Sequence, residues 1–265
     1  MALNEKQNNS VPDSHPRYQS LKFRHKIIDG MKNLVVAEAG LIAHGRGECF
    51  DYILGEKTTK TARSAIKAAI AALLLAEKPV ISVNGNVAAL VPNELVTLSK
   101  LLNIPLEINL FYHKEGRIKA IEDVLTKAGA ADIKGINEDK MIELEGLESS
   151  RRKVELIAKA DIIMVPLEDG DRTEALKKLN KKVIAVDLNP LSRTSLWADI
   201  TIVDNIVRVI PEMIKKAKEL KKLDKKQLEE IIKNYNNKLN IQNTLDLIIE
   251  YINKQKEKAL EDVKL

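Results

Sequence analysis

Between Val36 and Thr59 the chain concentrates residues able to do chemistry. Gly40, Gly45 and Gly47 alternate with His44, Arg46 and Glu48, and Gly55, Glu56, Lys57, Thr58 and Thr59 follow after one short amphipathic stretch. Glycine allows positive φ and close approach of backbone to a ligand. The side chains between the glycines can donate to phosphate, carry protons or hold a metal. The pattern therefore predicts two glycine-rich polar loops. A decorated surface turn is the plain alternative for either one. Two in succession, running directly into a long apolar helix, favour a site. The single cysteine, Cys49, sits here between Glu48 and Phe50. Neither neighbour lowers a thiol pKa, so it reads as a small packing residue.

Further clusters lie where predicted strands end, and ligands of open α/β sheets bind outside the carboxyl ends of strands. Val183–Val186 runs into Asp187, Leu188, Asn189, Pro190, Leu191, Ser192, Arg193 and Thr194. An acid at that position can accept both ribose hydroxyls, and Arg193 and Thr194 can reach phosphate. Asp204 and Asn205 close the strand Ile200–Val203 in the same way. After Asp161–Val165 comes Glu168 to Thr173, which can bind Mg²⁺, orient an amine, or simply form a capping turn. The strand Val80–Val83 stops at Asn84-Gly85-Asn86, either a ligand-holding turn or a plain tight one. Arg17 stands near a helix start, where amides and the helix dipole favour anions. Taken alone, it reads as a surface charge.

The elements that must position these residues alternate. A helix is predicted from a Ser14 cap with Pro16 in its first turn through Leu34. Others are predicted from Thr59 or Thr61 through Leu74, over 92–102, 117–128 and 151–159, and over 173–179. Strands are predicted over 80–83, 106–111, 132–136, 161–165, 183–186 and 200–203, with residues 1–13 a loose arm and 137–150 irregular. This pattern implies an α/β fold, a mostly parallel sheet with helices on both faces. The expected division is a catalytic domain over 1–210 and a helical C-terminal extension over 211–265. Apolar residues recur in that extension at Ile206, Val209, Ile210 and Met213, later at Leu228, Ile231 and Ile232, and at Leu245, Ile248, Ile249 and Ile252. Part of this stripe is expected at a two-fold interface.

Composition bounds the rest. In 265 residues, 45% hydrophobic but only 3% aromatic, a largely aliphatic core is implied. One cysteine excludes an internal disulfide and suits a reducing compartment. No leader and no bilayer-length apolar run is evident, so a cytoplasmic protein without membrane partners is expected. The net charge of +5 resides largely in lysines interleaved with glutamates at helical spacing, a solvated face and not a nucleic-acid surface. There is no G-x-G-x-x-G, no true Walker A, no HExxH and no paired Cys-x-x-Cys. Spacing alone yields an α/β nucleotide binder with its own motif set.

Six segments carry a more specific resemblance: His15-Pro16-Arg17-Tyr18, AGLIAHGRGE from Ala39, GEKTT from Gly55, SVNGN from Ser82, VPLEDGDRTEAL from Val165 and VIAVDLNPLSRT from Val183. Together, over about residues 14–210, they resemble the archaeal 4-phosphopantoate–β-alanine ligase family, also called archaeal phosphopantothenate synthetase. The resemblance implies a Rossmann-like homodimer that condenses 4-phosphopantoate with β-alanine, consuming ATP and releasing AMP and diphosphate, on the way to coenzyme A. It implies ATP contacts at Arg17, Ala39, Asp187, Leu188, Asn189, Arg193, Thr194 and Asn205, with Asp204 beside them.

The chemistry of such a reaction sets the remaining expectations. A carboxylate is a poor acyl donor and is best activated as an acyl-adenylate. The reacting phosphorus and departing diphosphate need positive charge, from Mg²⁺ and from Arg46, Lys57 or Arg172, one of which is reserved for the substrate's own phosphate. The β-alanine amine must lose a proton, and His44, Glu48 or Asp171 can accept it. No protein metal ligand is assigned. Two competing readings are an NAD(P)-dependent oxidoreductase on the same fold, which the missing glycine fingerprint disfavours, and a non-catalytic nucleotide sensor.

Overall fold

Short β-branched and aliphatic runs form the strands, since a strand buried on both faces needs no polar alternation. In chain order they are β1 (Pro79–Val83), β2 (Leu106–Ile108), β3 (Ile133–Lys134), β4 (Ile142–Glu143), β5 (Lys153–Val154), β6 (Ile162–Pro166), β7 (Lys182–Val186) and β8 (Ile200–Ile202). The computed structural model describes residues 12–15, 17–110, 114–140, 142–143 and 153–262. Six strands pair in the order β3-β2-β1-β6-β7-β8, parallel throughout, and β4 pairs antiparallel with β5 apart from them. The order reverses between β1 and β6, which makes their carboxyl ends a topological switch point.

The helices are α1 (Tyr18–Lys32), α2 (Glu38–Leu54), α3 (Lys60–Leu75), α4 (Gly85–Leu90), α5 (Pro92–Leu102), α6 (Arg117–Lys127), α7 (Gly170–Lys178), α8 (Arg193–Trp197), α9 (Ile206–Leu220), α10 (Lys225–Lys233) and α11 (Asn237–Asp262). Strand alternation sorts the core into two layers. Ile81, Val83, Met164, Ile184 and Ile202 face a large cluster with α3, α5, α6 and α9. Val80, Ile163, Val165, Val183 and Ala185 face a smaller one with Leu176 of α7 and Ile157. Helix α3 is alanine-rich and buried nearly all round, and Thr59 caps it by accepting from the Ala62 amide at 3.1 Å. No helix among the described residues is long and apolar enough to cross a membrane.

The α/β architecture and its six main strands follow the sequence pattern, but four local expectations do not. First, residues 38–54 form the continuous helix α2, so Gly45 and Gly47 are helical and not in a loop. Gly55 ends that helix at φ 79°, as a left-handed C-cap. Second, the helix expected over 151–159 is instead β5 followed by one 3-10 turn at Ile157–Lys159. Its physical cause is Glu107 on β2, fully buried, whose carboxylate accepts the amides of Glu155, Leu156 and Ile157 at 2.9, 2.6 and 2.9 Å. Third, α1 is not capped by Ser14. It starts after Arg17, which makes no side-chain cap bond. Fourth, residues 193–197 form α8, opened by Ser192 accepting from the Ser195 amide. Phe111, Pro16, the arm 1–11 and residues 144–152 lie outside the described residues.

Of the apolar stripe, part of which is expected at a two-fold interface, the α9 residues Ile206, Val209, Ile210, Met213, Ala217 and Leu220 are buried within the chain, and α9 runs unbroken across residue 210. What remains exposed in the tail is Leu239, Ile249 and Ile252 on α11.

Because the buried Glu107 carboxylate accepts three amides, one buried and two half-buried, Glu107→Ala is expected to lower the unfolding free energy by about 3 kcal/mol. Urea denaturation measures it, and Glu107→Gln, which keeps one carbonyl acceptor, should lose less.

Candidate active site at the switch point

Asn84 ends β1, and its side chain spans the switch point. Its Nδ2 donates to the carbonyls of Pro166 and Leu167, both at 3.0 Å, while its Oδ1 accepts the Val87 amide and caps α4. Gly85 follows because nothing larger fits: a Cβ there would stand 2.1 Å from the Val35 carbonyl oxygen. Asn86 reaches across to α2, donating to the Gly40 carbonyl at 2.9 Å. A Cβ on Gly40 would lie 2.3 Å from the Asn86 Oδ1, so glycine is what lets α2 approach α4 so closely.

These contacts frame a crevice of 180 Å³ over the ends of β1, β6, β7 and β8, walled by Ala39, Gly40, His44 and Glu48 of α2, with Leu188, Asn205 and Arg117 around it. Beside it, between α1, α2 and the start of α9, lies a second cavity of 340 Å³ that shares His44, Glu48 and Asn205 with the first.

The predicted residues divide into three groups. The first stands at or next to the crevice and the second cavity, Arg17 on the side of the second cavity. The Nε2 of His44 is closed off from solvent and has no hydrogen-bond partner among the described residues. Burial lowers its pKa, with Glu48 pulling the other way, so the ring is biased towards neutrality. Glu48 is already engaged by Ser20 Oγ at 2.9 Å and Arg24 Nε at 2.8 Å. Arg17 stacks over the Tyr52 ring at 5.7 Å. Asp187 accepts the Asn189 amide at 2.9 Å and the Ser192 hydroxyl at 2.5 Å, which folds Leu188 to Ser192 into a tight loop. Burial raises its pKa, opposed by those bonds and by the charge of nearby Arg46.

The second group is a buried charge network. Asp204, 1% exposed, accepts from Thr58 Oγ1 at 2.6 Å, from the Asn205 amide at 2.7 Å and from Arg208 Nε at 2.9 Å. Arg208 also donates to Asp51 on α2, as does Asn205 Nδ2 at 2.8 Å. Burial lowers the Arg208 pKa, but Asp51 and Asp204 more than compensate, so it stays charged.

The third group lies on α7 and α8, away from the crevice. Arg172 is 2% exposed and pairs with Glu168 at 3.2 Å. Arg193 bridges Asp171 and Glu174, each at 2.5 Å. Gly170 permits that contact, since a Cβ there would stand 2.5 Å from the Arg193 Cβ. Thr194 Oγ1 donates to the Glu168 carbonyl at 2.9 Å. Lys57 stands apart from all three, 5.8 Å from the Tyr251 ring centroid, in a groove beside α11. The sequence reading missed Asp51 and Arg208 altogether and left Asn86 and Arg117 without roles. Only the placement of α2 beside α9 and α4 reveals them.

Among the described residues no group of three or more His, Cys, Asp or Glu side chains is set to hold a metal ion.

Residues 61–251 match the family described as phosphopantothenate/pantothenate synthetase. A 4-phosphopantoate–β-alanine ligase of Thermococcus onnurineus is 56% identical over 230 residues, 86% of this chain and 87% of its own length. Its namesake from Thermococcus kodakarensis is 56% identical over 231 residues, 86% and 88% of the two chains. Another from Methanosarcina mazei is 48% identical over 244 residues, covering 91% and 95%.

Asn84→Ala is expected to cost roughly 2–3 kcal/mol, since it strips two buried carbonyls and one amide of their partner. Chemical denaturation reads that loss. Asn84→Asp, which keeps the cap but not the two donated bonds, should recover only part of it.

Proposed function

The chain belongs to the phosphopantothenate/pantothenate synthetase family, and from that premise we propose that it joins 4-phosphopantoate to β-alanine at the expense of ATP, releasing AMP and diphosphate. That it is a ligase follows from the family; the nucleotide chemistry is our reading. The observation that carries it is the crevice at the switch point, walled by the polar helix α2 and by Leu188, with the acid that follows β7, Asp187, next to Leu188 in the chain.

In this reading the ribose hydroxyls of ATP donate to Asp187, whose carboxylate has lone pairs beyond the two used by Asn189 and Ser192. The adenine end lies along Leu188 and Asn189, and Asn205 and Arg17 flank the nucleotide. Arg46, exposed and close enough for its field to act on Asp187, faces the charge that develops on the departing diphosphate. The carboxylate of 4-phosphopantoate attacks the α-phosphorus, giving an acyl-adenylate, and the β-alanine amine then displaces AMP. Arg172 and Arg193, held by Glu168, Asp171 and Glu174, set the strand ends in place. Thr194 and Asp204 hold the loops on which Asn189 and Asn205 stand. Lys57 is left for the phosphate of 4-phosphopantoate or for a partner. Mg²⁺, which keeps most of its shell on nucleotide phosphates, needs no cage of protein carboxylates and would neutralise phosphate charge as it enters with ATP. The exposed Leu239, Ile249 and Ile252 on α11 suit a two-fold interface of a homodimer.

Incubation with ATP, Mg²⁺, 4-phosphopantoate and β-alanine should yield AMP and diphosphate in step with 4′-phosphopantothenate. ADP as the nucleotide product would overturn the adenylate reading. Asp187→Ala should weaken ATP binding by roughly 2–3 kcal/mol, about a 30- to 150-fold rise in Kd by calorimetry. Ser192→Ala, which loosens the same loop but keeps the ribose acceptor, should leave Kd within about threefold. Equal losses in both variants would mean that Asp187 acts only by holding the loop. Light scattering at micromolar concentration should give twice the chain mass.

A further inference from the structure

The three side chains able to take the amine proton are not equivalent in the folded chain. Asp171 is held by Arg193 on α7 and does not border the crevice. Glu48 borders it, but it is held in an ion pair with Arg24, which taking up a proton would break. His44 borders both the crevice and the cavity beside it, and its Nε2 has no partner among the described residues. A sheltered polar atom left without a hydrogen bond calls for a functional account.

The second cavity has its own chemical character. Glu48, Asp51 and Glu56 bring three carboxylates to its wall; Arg24 pairs with the first and Arg208 with the second, and Glu56 carries the remaining negative charge. Four N–H bonds of Arg208 go to Asp51 and Asp204. A guanidinium carries five such donors, so one, on Nη1, is left over. The wall as a whole favours an ammonium group and offers one donor to a carboxylate, which describes a short zwitterionic amino acid. It suits a triphosphate or a phosphorylated acid less well, because Arg208, the one cation on the wall, is already committed to Asp51 and Asp204.

We propose that the cavity between α1, α2 and α9 is the β-alanine subsite, and that His44, on the wall it shares with the crevice, accepts the proton the amine must lose. This rests on the ligase reading above. The β-alanine ammonium gives one proton to Nε2. Its freed lone pair forms the C–N bond at the acyl carbon of the adenylate. The C–O bond to AMP breaks, AMP leaves with that electron pair, and the second amine proton passes to solvent. The lowered pKa of His44 keeps it unprotonated and able to accept. Glu48, with its partner Arg24, stabilises the imidazolium that results.

The reaction divides at the adenylate, which makes the roles separable. 4-Phosphopantoate-dependent exchange of labelled diphosphate into ATP reports activation alone and needs no amine. In His44→Gln, amide formation with β-alanine should fall about 100-fold or more in kcat, while the exchange rate stays within a few-fold. Hydroxylamine, an amine already unprotonated at neutral pH, should still trap the adenylate as hydroxamate in that variant. Val207→Phe, which narrows the second cavity from α9, should raise KM for β-alanine about tenfold or more and leave KM for ATP and 4-phosphopantoate unchanged. Exchange lost in parallel with amide formation in His44→Gln, or amide formation left intact, would overturn the role of His44. A KM effect of Val207→Phe on 4-phosphopantoate in place of β-alanine would overturn the subsite. Absence of exchange in the unmutated protein would instead remove the ligase reading itself, and this proposal with it.

Discussion

The side-chain amide of Asn84 holds the site open and fixed at once. In a sheet whose order reverses between β1 and β6, the loops leaving the two strands diverge, and the gap between them would otherwise be free to widen. One amide closes it, donating to two carbonyls of the β6 end and capping α4 with its own oxygen. Leu167 adopts a left-handed φ of 53°, a conformation that costs a branched side chain and persists only where surroundings enforce it. From that tie the rest follows in order. Helix α4 starts against Val35, Asn86 is presented to Gly40, and α2 is drawn over the crevice.

The sheet was legible because its signal is one-dimensional. Runs such as Val183–Val186 cannot be anything but a strand buried on both sides, and their acidic ends point to the ligand side by topology alone. Helix α2 was illegible for the opposite reason. Its glycines each lower intrinsic helicity by roughly 1 kcal/mol, and the residues between them carry no strong apolar stripe. Only Asp51 and Leu54 among its residues are buried. What makes it a helix is tertiary: Glu48 to Arg24 and Ser20 on α1, Gly40 to Asn86 on α4, Asp51 to Arg208 on α9. None of those pairings leaves a trace in local spacing. The segment after β5 shows the same limit. Its helical periodicity lost to three backbone bonds from one buried carboxylate nearly fifty residues away.

Sequence gives a side chain's type but not its availability. Sequence cannot tell a cation aimed at a ligand from one consumed by a neighbour. Arg172 stood with Arg46 and Lys57 as a candidate for the reacting phosphorus, and Arg193 as one that could reach phosphate. In the folded chain Arg172 pairs with Glu168, four residues before it, and Arg193 pairs with Asp171 and Glu174 through a contact between α8 and α7 that their separation in the chain conceals. The converse holds for Arg208, which no motif marked. It ties α9 to α2 through Asp51 and orders Thr58 and Asn205 through the Asp204 it shares with them.

A wall built this way behaves differently from one held by a greasy face. Burial of aliphatic area is non-directional and tolerates small shifts, whereas charge-assisted hydrogen bonds are lost over a fraction of an ångström. Helix α2 is therefore positioned in detail by polar partners while contributing little to the core. That division suits a helix whose glycine at 47 lines the crevice, where an added Cβ would meet only Leu188, at 3.4 Å. The vacant volume along that face is open to ligand atoms in place of side chains. The same logic explains why His44 can stand without a hydrogen bond. The polar contacts around it fix the backbone of α2 on three sides and leave the His44 Nε2, on the wall the two cavities share, without a partner among the described residues.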